Sequence, residues 1–353
     1  MEIIRTFEGV GSMVTCVAVL PDGNIVSGSS QTGLTLWNTN TGDRIRTFDE
    51  HDNFVNCVAV LPNGNFISGS WDTTLRLWNT NTGETIRIFK GHTQYIECVA
   101  VLPDGNFVSG GDRTLRLWNT NTGETIRIFA GHKESVSCVA VLPNGNFLSG
   151  SWDYTLRLWN TNTGETIRTF KGHTKGVMCV AVLQDGNFIS GSEDKTLRLW
   201  NKNTGETIRI FEGHTSYVND VVVLSHRNII SVSWDNTLRL WNTNTGRTIQ
   251  ISEGQSDEVK CVAILQDGNF VSGSMNGTLH IWKSTPNPTN DNYSRKRTTL
   301  EELRTLPPTD IFPGGIEFQE AEKRFQNAQN NIRKMKQSRK QLKKNRRNTR
   351  KRL

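Results

Sequence analysis

The chain has 353 residues, 21% charged and 35% apolar, with a formal net charge of +7, enough for one large globular domain or two ordinary ones. It holds no run of 18 apolar residues, and its opening MEIIRTFEGVGSM has no apolar core behind a basic end, so neither a transmembrane helix nor a secretory signal is expected. The charge is uneven: from Ser284 onward 18 Lys and Arg face 7 Asp and Glu, leaving 23 basic and 27 acidic residues before it, so a nearly neutral body carries a basic tail.

In chain order, the first predicted element is a short strand over residues 2–7, with the pattern Ile3-Ile4-Arg5-Thr6-Phe7. Seven similar units follow, marked by Trp37, Trp78, Trp118, Trp159, Trp200, Trp241 and Trp282 at intervals of 41, 40, 41, 41, 41 and 41 residues. The second unit shows the plan. FVNCVAVL is apolar and β-branched, Pro62-Asn63-Gly64 turns the chain, and NFISGS is a second strand. A turn at Trp71-Asp72-Thr73 leads to TLRLWN, and NTNTG turns into a fourth strand, ETIRIF. The third unit reads SGGDRTLRLW where its neighbours read SGSWDTTLRLW, which accounts for the short interval. Cys16, Cys57, Cys98, Cys138, Cys179 and Cys261 each recur at one place in six units, which favours separate buried thiols over disulfides and a reducing compartment.

After about Lys283 the repeat stops. Residues 284–315 contain five prolines and read as a linker. In residues 316–353, Phe318, Ala321, Phe325, Ala328, Ile332, Met335 and Leu342 fall at spacings of three and four, apart from a gap at Arg339. This is the pattern of an amphipathic helix with a short coiled-coil-like seam suited to oligomerisation, with packing against the rest of the chain or disorder without a partner as alternatives. The stretch 333–353 holds 12 Lys and Arg and no acid, including Lys340, Lys343, Lys344, Arg346, Arg347, Arg350, Lys351 and Arg352. Nucleic acid, an anionic surface or the nuclear import machinery would suit such a segment, and so would a solvated tail. With no Trp and few aromatics among the charges, phosphate attraction is favoured over base stacking.

One four-stranded sheet of this size cannot bury both faces, whereas copies packed face to face in a ring can. The period and the recurring Trp resemble the WD-repeat family over residues 1–283, and this implies an all-β, seven-bladed propeller followed by the basic helical or disordered tail. The resemblance also implies that residues 2–7 supply the outer strand of the seventh blade. Pro286 and Pro288 after Trp282 spoil any strand there.

His, Ser, Asp and Trp recur together: His51, Ser68, Asp72 and Trp78; His92, Ser109, Asp112 and Trp118; His132, Ser149, Asp153 and Trp159; His173, Ser190, Asp194 and Trp200; His214, Ser231, Asp235 and Trp241. Such sets invite a hydrolase reading. Five equivalent copies without a Gly-x-Ser-x-Gly elbow point instead to structure. The family resemblance implies a buried hydrogen-bond chain in each blade. Val10 and Gln31 replace His and Asp in the first unit, and Gln255 and Asn276 in the seventh, as terminal units often differ. Lone histidines without paired ligand spacing argue against a metal, and neither a phosphate-binding loop nor a dinucleotide fingerprint is present. No cofactor, metal or small-molecule substrate is expected.

In the resembling family, loops on one rim commonly contact partners. The positions before the Asp and after the His give Trp71, Trp152 and Trp234, then Phe54, Tyr95 and Tyr217, with Met13 and Met275 matching them in units one and seven. These residue types suit a protein-binding surface, and the alternative is that the Trp rings lie over neighbouring blades and only pack. Arg76, Arg116, Arg157, Arg198 and Arg239 in third strands, and Arg87, Arg127, Arg168 and Arg209 in fourth strands, read as solvated or paired, with Glu84, Glu124, Glu165 and Glu206 as countercharge. The sequence therefore predicts a non-catalytic, intracellular scaffold for protein partners, cytoplasmic unless the tail directs it to a nucleus. Nucleic-acid binding through the tail is the main alternative. SGSWDTTLRLW with its Val-Leu-Pro turns also resembles the propeller of phospholipase-A2-activating proteins, which bind ubiquitin, so a ubiquitin-binding adaptor is a narrower form of the first reading.

Overall fold

The computed structural model describes residues 1–284 except 8–11, 32, 225–227 and 253–256. These residues form seven antiparallel four-stranded sheets, and no helix occurs among them. Blade two is typical: Val55–Val60 is innermost, followed outward by Phe66–Ser70, Thr74–Trp78 and Thr85–Lys90. Burial explains the order. Phe66–Ser70 is buried at every position, whereas Thr85–Lys90 alternates and exposes Ile86 and Ile88 to solvent. In blade seven, Glu2–Phe7 pairs with Leu279–Lys283, so the N-terminal strand is the outer strand of that sheet.

The core lies between blades. Each of seven apolar clusters joins residues of successive units, as Leu34, Phe48 and Val55 join Phe66 and Trp78. The outer-strand Phe of one blade meets the Trp of the next edge-on: Phe7 and Trp37 have ring centroids 5.7 Å apart, and Phe48 and Trp78 5.5 Å. Ser252 stands at that Phe position in blade six, so the seam to blade seven lacks the pair.

The outer-strand arginines differ from the sequence expectation. Arg46 donates to the carbonyls of Thr82 and Asn81 in the next blade's turn, and Arg87, Arg127, Arg168 and Arg209 reach Thr122, Thr163, Thr204 and Thr245 in the same way. Among the described residues none of them pairs with Glu84, Glu124, Glu165 or Glu206. The turn carbonyls are fixed acceptors, so each arginine clasps two blades. The turn glycine permits this: Gly83 has φ +86°, and a Cβ there would lie 2.9 Å from Arg46 Cδ. The third-strand arginines lie over the repeat tryptophans, with Arg76, Arg116, Arg157 and Arg239 at 5.8–6.0 Å from the ring centroids.

Candidate interaction surface

The loops on one rim are set by the buried hydrogen-bond chains. In blade two Trp78 Nε1 donates to Ser68 Oγ at 2.8 Å, Ser68 Oγ lies 2.7 Å from His51 Nε2, and His51 Nδ1 lies 2.6 Å from Asp72 Oδ2. A carboxylate only accepts, so Nδ1 carries the shared proton and Nε2 accepts from the serine. The other Asp72 oxygen accepts from Thr74 N and Oγ1, and Oδ2 also accepts from Asp52 N. One side chain thus pins two loops. Burial opposes ionisation of Asp72, but hydrogen bonds from His51 and Thr74 outweigh it and hold the carboxyl well below the usual range. The same balance holds at Asp153, Asp194 and Asp235, and Asp112 is held low as well, with Thr93 and Thr114 donating to it. Ser68, Ser109, Ser149, Ser190 and Ser231 are all 0% exposed, so these hydroxyls are closed to substrate.

The chains are intact in blades four, five and six, with His132, His173 and His214 within 2.7–2.8 Å of Asp153, Asp194 and Asp235. Blade three is looser: His92 Nδ1 is 3.3 Å from Asp112 and makes no hydrogen bond. Its missing residue is the cause. A Cβ on Gly111 would fall 2.1 Å from the Tyr95 carbonyl, so the shortened loop passes where only glycine fits. In blades one and seven Trp37 and Trp282 still donate to Ser27 and Ser272. Asn276 accepts from Thr278 much as Asp72 does from Thr74, while Val10 and Gln255 lie outside the described residues.

Backbone bonds join the two rim loops of a blade, and bring Trp71 to Phe54 and Trp234 to Tyr217. Trp71 N donates to Phe54 O, Trp234 N to Tyr217 O, and Met275 N to Glu258 O, while Met13 O accepts from Ser30 N. Trp71 stacks on Tyr95 of the next blade, with centroids 4.8 Å apart and planes 12° apart, and its other neighbour Phe54 is 4.9 Å away. Trp234 packs on Tyr217 at 5.0 Å beneath Lys260. Both rings are half-buried, and their Nε1 atoms are covered without a hydrogen-bond partner. Trp152 instead remains 39% exposed, lying over Gly176, where a Cβ would fall 2.9 Å from the ring. Tyr95 is 50% exposed. Sequence reasoning passed over Tyr154, which is 49% exposed and holds φ +69° in the turn after Asp153. That conformation is unfavourable for a bulky residue, and the turn imposes it on Thr73, Lys195 and Asn236 too.

Beneath this rim, Thr15, Asn56, Glu97, Ser137, Met178, Asn219 and Lys260 line a throat of about 240 Å³. Asn56 Nδ2 donates to Glu97 Oε2 at 2.6 Å, and burial raises the Glu97 carboxyl against the opposing charge of Lys260. The next position holds the six cysteines, all buried and unbridged as expected, and in blade six Asp220. Elsewhere the thiol sits over the glycine it pairs with; a Cβ on Gly191 would lie 2.6 Å from Cys179 Sγ. Asp220 pairs with Val232, whose side chain stands where the other blades have glycine. Asp220 Oδ2 accepts from Val262 N of blade seven at 2.9 Å, and Oδ1 from Val221 N at 2.8 Å. Burial pushes this carboxyl up to about 6 despite the two N–H donors and Lys260. Comparing the seven units at the cysteine position would have exposed this exception.

The segments 284–315 and 316–353, and with them Lys340, Lys343, Lys344, Arg346, Arg347, Arg350, Lys351 and Arg352, lie outside the described residues except for Ser284. Among the described residues no group of three or more His, Cys, Asp or Glu could hold a metal, and no helix is long and apolar enough to cross a membrane.

The family model described as WD domain, G-beta repeat matches residues 1–38, 42–79, 83–119, 123–160, 164–201, 205–242 and 246–283. A search of curated proteins found no match to this chain. The matched repeats are offset from the blades by one strand: 42–79 runs from the outer strand of blade one through the third strand of blade two. A chain cut at repeat boundaries therefore begins with an outer strand and ends without one, and the two ends complete one sheet.

Proposed function

The chain belongs to the WD-repeat family, and on that premise we propose that it is a non-catalytic adaptor holding a protein partner across the rim that bears Trp71, Trp152 and Trp234. Propellers of this family generally serve as protein-interaction scaffolds. The observation that carries the reading is the exposure of Trp152, Tyr95 and Tyr154 on one face, where the turn bearing Trp152 and Tyr154 is pinned by the buried Asp153–His132–Ser149–Trp159 chain. Large aromatic side chains on rigid loops bury much area at small entropic cost. Phe54, Tyr217, Met13 and Met275 extend that face around the ring. The closed serines agree with a binding role rather than hydrolysis. The basic stretch 333–353 adds an electrostatic contact to the same or another partner.

The test is an affinity pull-down with the full chain, a Trp152→Ala/Tyr95→Ala variant, and a chain ending at residue 315. Loss of the captured proteins with the rim variant supports the adaptor reading. Normal capture by that variant, with capture lost on truncation, overturns it in favour of binding through the tail. Salt-sensitive retention of generic DNA or RNA by the full chain alone would then identify nucleic acid as the ligand.

A further inference from the structure

The opposite mouth of the channel has a different chemistry. An innermost strand such as Val55–Val60 starts beside the tryptophan-bearing rim and ends about 17 Å away at the other opening. There the recurring Val-Leu-Pro and Val-Leu-Gln segments place half-buried Val60, Val101, Val141 and Val182 around a cavity of about 810 Å³, with Pro62 and Pro103 exposed at its lip. It is an open mouth rather than an enclosed cavity, wide enough to receive the side chains of a docked segment. The lining is mainly aliphatic, so occupancy gains its energy from apolar burial.

Carboxylates stand on four of the six described turns around it, with asparagine on the other two. Asp22, Asp104, Asp185 and Asp267 are exposed at the tips of the same turns. Each is oriented by the backbone and side-chain N–H groups of the asparagine two residues on, at 2.7–3.0 Å. None of the four forms an ion pair among the described residues, and only Asp185 has a cation against its turn, Lys202, whose Nζ reaches Gly186. Aliphatic lining with these carboxylates at its lip disfavours nucleic acid and anionic headgroups, and its complement is an apolar ridge flanked by cations.

We propose that this mouth is a second docking site, separate from the aromatic rim, and that its occupant is a cationic amphipathic segment of a partner protein. The apolar ridge of that segment enters between Val101, Val141 and Val182, and its Lys or Arg side chains meet Asp104, Asp185 and the other fringe carboxylates. The aliphatic lining supplies affinity, and the carboxylates select the sign of the partner's charge and speed its encounter.

The test uses the full chain and a fluorescent synthetic helix of Leu and Lys, read by anisotropy, with Leu/Glu and Ser/Lys versions as comparators. The Leu/Lys helix should bind at least about tenfold more tightly than either comparator. Asp104→Lys with Asp185→Lys should weaken the Leu/Lys helix by about tenfold and improve binding of the Leu/Glu helix. Val141→Trp, which fills the cavity, should weaken binding to a similar degree. If that variant does not melt cooperatively, Val182→Gln makes the same test by removing aliphatic lining. Trp152→Ala, on the other rim, should leave the affinity unchanged, which keeps this site distinct from the adaptor surface. Equal affinity for the Leu/Lys and Leu/Glu helices, or sensitivity to Trp152→Ala without sensitivity to the charge reversal, overturns the proposal.

Discussion

The Arg5 guanidinium donates to the Thr41 carbonyl at 2.7 Å, and so ties the strand that closes blade seven to the turn before the outer strand of blade one. Its second arm reaches Asn40 O, also at 2.7 Å. The contact repeats the clasp that Arg46 makes with Thr82, which makes the closing seam equivalent to an internal one. The seam from blade six to seven is the exception, with Gln250 and Ser252 where other outer strands carry Arg and Phe.

Removing residues 2–7 should therefore lower the melting temperature sharply. Phe7 is 1% exposed, and losing a buried Phe alone costs about 3 kcal/mol or more. For a domain of this size that is a fall of about 5 °C or more by calorimetry. An unchanged melt would show that the ring does not depend on this strand.

The buried chains should be unequal. Asp153→Ala or Trp159→Phe leaves buried partners unsatisfied and should cost about 1–3 kcal/mol in denaturant unfolding while partner capture is retained. Asp112→Ala should cost less, because His92 already stands 3.3 Å away without a hydrogen bond. Equal losses at the two aspartates would contradict the looser geometry of blade three.

Asp220 and Val232 should behave as a coupled pair. Val232→Gly alone opens a gap, and Asp220→Cys alone sets a thiol against the valine. The double variant restores the Cys–Gly pair of the other six blades, as at Cys179 and Gly191. A double-mutant cycle should give a favourable coupling of about 1 kcal/mol or more. Strictly additive effects would mean that the two substitutions are unrelated.

The same double variant isolates one pH dependence. A native carboxyl raised to about 6 binds protons that the unfolded chain, at 3.8, does not. Asp220 thus destabilises the fold above pH 6, and this penalty fades as pH falls from 6 towards 3.8. The tetrad aspartates act in reverse: their lowered values stabilise the fold above about 3.8, and that stability is lost on further acidification. His214, lowered chiefly by burial, opposes Asp220 by losing stability below its ordinary 6.5. Subtracting the variant's melting curve from the parent's cancels all but Asp220. The parent should gain relative to the variant between pH 6 and 4 and track it below that. A flat difference curve would refute the assignment.

Rim and clasp should separate by assay. Trp152→Ala should weaken partner binding by about 2 kcal/mol, roughly thirtyfold, if it is a hot spot, with little effect on stability. Arg87→Ala should change affinity by less than about 1 kcal/mol. It should instead lower the melting temperature slightly, through its lost bond to Thr122. A titration and a melt on the same two proteins decide the matter.

Period and composition alone determined the number of blades, the strand plan, the shared place of the six cysteines and the recurrence of His, Ser, Asp and Trp. These are features within one unit, where alternation and turn residues act over a few positions. What lies between units was decided by the ring. Trp71 rests on Tyr95, Arg87 reaches Thr122, and Asp220 bonds Val262, and in each case the partner belongs to the next blade. Sequence spacing does not say which way a loop side chain leans or how close two sheets approach. Packing of one blade on the next fixes both, which is why Trp71 and Trp234 are half-covered while Trp152, lying over a glycine, stays exposed.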